Sequence, residues 1–136
     1  MTPKAILFNR KDSKLFFKTL NKRVNNYFNE KNISKSGNWK LWLKTFVMFS
    51  LLLAPYILIS ILTIPSWLQI TLSIIMGIGL AGVGMNVMHD GNHGSYSNKS
   101  WVNKFMGGTI YVLAGNVHNW QVQHNVLHHT YTNIPG

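Results

Sequence analysis

Residues 45–63 read "TFVMFSLLLAPYILISILT": 19 residues without a charge. A helix needs about 20 apolar residues to cross the ~30 Å hydrocarbon layer of a bilayer. The stretch therefore predicts a transmembrane helix. Pro55 inside it is no objection, because membrane helices tolerate proline. Trp39 and Trp42 just before it suit the headgroup level, where an indole can bury one edge and hydrate the other. On the other side, "IPS" (64–66) is too short for anything but a turn. A second uncharged run, Trp67 to Met88, follows at once. Two spans joined so tightly are antiparallel neighbours. Gly77, Gly79, Ala81, Gly82 and Gly84 give the second span the small residues that let helix backbones approach in lipid.

Charge is distributed as unevenly as hydropathy. The 136 residues carry a net charge of +10, and 11 of the 13 Lys and Arg lie at or before Lys44. Basic residues beside a span mark its cytoplasmic side. The sequence thus predicts a cytoplasmic N-terminus, an outgoing span near 45–63 and a returning one near 67–88, which delivers His89 to the cytoplasmic face. Within the basic arm (1–38), Phe17, Leu20, Val24, Tyr27 and Phe28 recur at helical spacing between Lys14 and Glu30. Lysines occupy the other faces, the pattern of a helix lying in the membrane interface. "KNISKSGN" (31–38) reads as a linker. Nucleic-acid binding is the weakest use of this arm, since its apolar stripe is better spent on lipid. Beyond the spans, 105–117 is apolar but too short to cross, and is expected to lie at the interface or against the spans.

The chain has no cysteine, and its only acids are Asp12, Glu30 and Asp90. Thiolate sites, paired-carboxylate catalysis and a glutamate-built di-iron site are excluded. Histidines remain. His89 and His93 are four apart, which on a helix places both rings on one face. His124, His128 and His129 repeat the spacing and add a neighbour. Clustered ionisable groups beside a membrane span are functional by default. Imidazole suits Zn, Cu, Fe and Ni, and five rings exceed the usual three of a catalytic zinc, so a larger centre is implied. Asp90 is the natural acceptor for a ligand histidine's second N–H. His118, alone in "GNVHNW", is expected to be a surface or hydrogen-bonding residue.

"HDGNHGSYS" (89–97) and "HNVLHHTYTN" (124–133) resemble the first two histidine boxes of the membrane fatty acid desaturases, in the H-x-x-x-H and H-x-x-x-H-H forms. The resemblance extends over about residues 39–133 and includes the helical hairpin before the first box. It implies an all-α integral membrane protein with a helical hairpin and a cytoplasmic helical region carrying the boxes, to which the residue pattern adds the basic interfacial N-terminal helix. It also implies two iron ions, held by His89, His93, His124, His128 and His129 together with further ligands. O2 would be the co-substrate. A separate donor, of ferredoxin or cytochrome b5 type, would supply electrons. The substrate would be a fatty acyl chain carried on CoA, a carrier protein or a lipid. The family's third box and second pair of spans have no counterpart here, so the chain is expected to be an N-terminal fragment, inactive alone. A related histidine-box hydroxylase acting on alkanes, sterols, carotenoids or sphingolipids is the nearest competing function. A non-enzymatic metal- or haem-binding membrane anchor is a more distant one.

Overall fold

A computed structural model describes residues 10–131, with side chains from Lys14. Among these residues every regular element is helical. The chain divides into two compact units, one running to Lys35 and the other spanning Ser36–Thr132.

In the first unit a single helix, α1, runs from Arg10 to Glu30. Its end follows from the sequence. Asn32 takes the left-handed conformation (φ 49°), which asparagine tolerates better than most residues. Its N–H then reaches Asn29 O, and the Ile33 N–H reaches Phe28 O, both at 3.1 Å. This paired closure satisfies carbonyls that would otherwise be orphaned at the helix end.

The second unit opens with α2 (Trp39–Ile61), capped by the Asn38 side chain, which accepts from the Lys40 N–H. The helix starts six residues ahead of the uncharged stretch and includes both tryptophans, because Asn38 supplies the start signal. It passes through Pro55 without ending. Leu62 to Pro65 make the turn, and α3 (Ser66–Gly82) returns. Helical backbone then continues without a break to Asn92, giving 27 residues in all. Both long helices are long and apolar enough to cross a bilayer, and only 17% of the apolar window of each is buried. A soluble core helix would be covered; these leave apolar surface that water does not suit.

The small residues of α3 do different things. A Cβ on Gly79 would lie 2.5 Å from the Leu52 backbone nitrogen, so the two helices touch backbone to backbone there. At Gly82 it would meet the flexible Met48 side chain, at Gly84 it would brush Leu113, and at Gly77 it would meet nothing. The buried core lies at the far end of the hairpin: Leu52, Val83, Val87, Tyr96, Val102 and Met106. Short α5 (Ser100–Gly108) and a 3-10 turn (Thr109–Leu113) supply the last two and Ile110. The apolar stretch 105–117 is therefore partly helical and packs through Met106 and Ile110.

Candidate metal centre

Both histidine segments are carried on π-helical turns. The first, Val83–Met88, leads into α4 (His89–Asn92). The second, Gln121–His128, joins α6 (Val117–Trp120) to α7 (His129–Tyr131). A π turn widens the helix by about one residue per turn and re-aims every side chain after it. In a simple α-helix, i and i+4 rings project nearly in line. Across the second π turn and into α7, His124, His128 and His129 lie as three mutual neighbours.

The loop after His93 is held from several sides. Gly94 takes φ +70°. The Asn103 side chain donates to Gly94 O and Ser97 O and accepts from the Ser97 N–H. Tyr96 is fully buried, its hydroxyl 2.7 Å from Thr45 Oγ1, its ring edge-on to Trp42, and its carbonyl accepting from the Gly37 N–H. The residues following the first box are thus tied to the start of α2. Gly91 makes the second anchor: a Cβ there would lie 2.4 Å from the Gly107 nitrogen, so α4 and α5 cross in backbone contact. The Asn92 side chain donates across this crossing to Gly107 O.

The five predicted histidines come together. One ring nitrogen from each of His89, His93 and His124 lies within 4.8 Å of the others. The His89 and His93 rings are 4.4 Å apart, and His124 sits 5.1 and 5.2 Å from them. His129 joins at 4.8 Å from His124 and 5.1 Å from His93. His128 lies against His124 and His129 at 5.2 and 5.5 Å, the outer edge of the group. His118 is exposed on α6.

Polar partners bear on which nitrogens are free. His89 Nδ1 is 3.2 Å from Asp90 Oδ1, so Nε2 is the His89 nitrogen left for a metal. The Nε2 of His124 is buried without a hydrogen-bond partner, and so is Asn125 Oδ1. An unpaired buried polar atom costs about 1–3 kcal/mol, so such a nitrogen in native protein needs an explanation. A cation at the centre of the three rings supplies one. Loss of water and the neighbouring His89 and His129 rings hold the His93 pKa below its ordinary value. The same causes, with His93 and His128 added, lower His124. Both effects favour neutral imidazole, the form that donates a lone pair to a metal. Iron, zinc, copper or nickel fits such a donor set.

Trp120 is a member of the site that residue-type reasoning passed over. It stacks on His124 at 4.3 Å and 19°, and meets His89 and His93 edge-on at 5.7 and 5.4 Å. Its spacing four residues before His124 was the available signal, since that interval shares a helical face with the box.

Residues 65–136, just over half the chain, match the fatty acid desaturase family. The sn-1 linoleoyl-lipid 6-desaturase of Arthrospira platensis is 40% identical over 89% of this chain and 33% of its own length. The enzyme of the same name from Synechocystis is 32% identical over the whole of this chain and 37% of its own. The acyl-lipid (8-3)-desaturase of Mortierella alpina is 34% identical over 90% of this chain and 28% of its own. The chain belongs to the fatty acid desaturase family. It spans about a third of the length of these relatives. No solved structure matches it.

Proposed function

We propose that the protein to which this chain belongs inserts cis double bonds into fatty acyl chains esterified in membrane lipids. The observation that carries the proposal is the convergence of His89, His93 and His124 on one point, in a chain of this family. The acyl-lipid carrier is chosen because the three relatives above are named for acyl-lipid substrates.

In this reading α2 and the helix from Ser66 to Asn92 cross the bilayer as a hairpin. Lys40 and Lys44 lie at the first span's start, and the basic arm (1–38) before it stays in the cytoplasm. The return span then delivers the boxes to the same face. Residues 39–136 form the first part of the desaturase domain. The five histidines hold part of a di-iron centre, and the remaining ligands come from elsewhere in the protein, consistent with the third of the relatives' length that this chain spans. By itself the chain would be inactive.

Bound iron would supply the activation of O2 that attack on an unactivated methylene requires. The overall change balances as one –CH2–CH2– unit, O2, two electrons and two protons giving –CH=CH– and two waters. The electrons come from a separate donor of ferredoxin or cytochrome b5 type. This chain's own residues orient and shield. Asp90 accepts the His89 Nδ1–H and so fixes the tautomer that presents Nε2. Trp120 covers one side of the rings and excludes water, which protects a strong oxidant from waste. Tyr96 and Gly91 hold the first box against α2 and α5.

The test is expression of the complete protein in a host supplied with linoleate, followed by analysis of its fatty acids. New double bonds are expected, and their loss in His93→Ala and His128→Ala. New hydroxyl groups instead would mark a hydroxylase. A Soret band with unchanged lipids would mark a haem anchor.

A further inference from the structure

We propose that α1 is an amphipathic anchor that lies on the anionic cytoplasmic leaflet, its aromatic and aliphatic row in the acyl-chain boundary. Placed at 100° per residue, Phe16, Tyr27, Leu20, Val24, Phe17 and Phe28 fall within an arc of about 120°, the width of a binding stripe. Leu15 alone falls outside it. The stripe is uncovered: Phe16 is 63% exposed, Phe17 56% and Tyr27 55%. Water does not suit so long an apolar row.

Charge identifies the occupant. Lys14, Lys18, Lys22 and Arg23 lie on the flanks and back of the same helix, and Glu30 at its end is the lone acid among its described side chains. All four cations are within a helix diameter of whatever the stripe enters, comparable to the ~8 Å Debye length, so an anionic lipid surface attracts every one. Their long stems can lie along the boundary while the heads reach phosphate. Covalent reach agrees. The helix ends at Glu30 and α2 begins at Trp39. Nine residues of extended chain span no more than about 32 Å, so the C-terminal end of α1 is tethered within that reach of the start of α2. This inference rests on the hairpin crossing the membrane and is independent of the metal chemistry.

The chain has no cysteine of its own. Single cysteines are placed at Phe17, Leu20, Val24, Thr19, Asn26 and Asn29 of the complete protein, on a cysteine-free background. Each is labelled with an environment-sensitive fluorophore. The protein is reconstituted in nanodiscs of phosphatidylcholine alone or mixed with phosphatidylglycerol. Labels at 17, 20 and 24 are expected to be quenched several-fold more by nitroxide lipids than those at 19, 26 and 29. The difference should shrink without phosphatidylglycerol, at high salt, and when Lys14, Lys18, Lys22 and Arg23 are all changed to Gln. Circular dichroism of each variant confirms that the helix is retained. Equal quenching at all six positions would overturn the proposal. So would labels at 17, 20 and 24 shielded from aqueous iodide yet untouched by nitroxide lipid, since the stripe would then be packed on protein.

Discussion

His124 touches more of the cluster than any other ring, and its Nε2 is buried without a hydrogen-bond partner. It should therefore be the most sensitive ligand. In the complete protein, His124→Ala should abolish iron retention through purification, whereas His118→Ala should leave the iron content unchanged; metal analysis reads both. Asp90→Ala should weaken metal binding about 10–100-fold without removing a ligand, the usual effect of losing a ligand's hydrogen-bond partner. A competition titration with a chelator measures it. The pH dependence has a definite sign. Metal binding requires neutral imidazole, so acid releases the metal. Loss of water and the neighbouring rings hold His93 and His124 below the ordinary histidine pKa, so release should fall at a lower pH than for ordinary histidines. Release at a higher pH than from an exposed histidine site would contradict the geometry. Five of the six histidines were legible as a group from spacing alone, because i, i+4 pairs declare a common face. Trp120 was not: an aromatic residue near a polar cluster looks like any interface tryptophan until its stacking is known.

At the scale of elements, the two π turns and the glycine crossings set the geometry. Neither was visible in sequence. A π turn has no residue signature, and a row of small residues says that helices approach without saying at which residue. The structure separates them: Gly79 and Gly91 sit against backbone, and Gly77 against nothing. Backbone cannot move aside as a side chain can. Gly79→Ala and Gly91→Ala should each destabilise by about 1–3 kcal/mol, as expected for overpacking, and Gly77→Ala should be neutral. Thermal unfolding in detergent distinguishes the three. Tyr96→Phe removes the bond to Thr45 and should cost about 1 kcal/mol. The helices themselves were legible, because 19 and 22 uncharged residues in succession leave little alternative. Their ends were less so. Asn38 starts α2 six residues before the uncharged run, and helical backbone continues to Asn92 past the end of the apolar run.

For the whole molecule, the account requires that two segments some thirty residues apart serve one centre. The hairpin brings the first box back beside the start of α2. Tyr96 and Asn103 then fix the exit from that box, and α5 and α6 return the chain to it. The all-helical fold with its two long apolar helices, and the family, were readable because hydropathy and paired motifs are properties of the sequence itself. Acyl position and electron donor were not, since the chain spans only about a third of the length of its relatives and no motif in it names either. The decisive measurement is X-ray absorption at the iron edge on the purified complete protein, as wild type and as His89→Ala and His124→Ala variants. The account predicts imidazole scattering around iron in the wild type and a reduced or altered nitrogen shell in both variants. An iron environment unchanged by either substitution, or changed by only one of them, would contradict a shared centre.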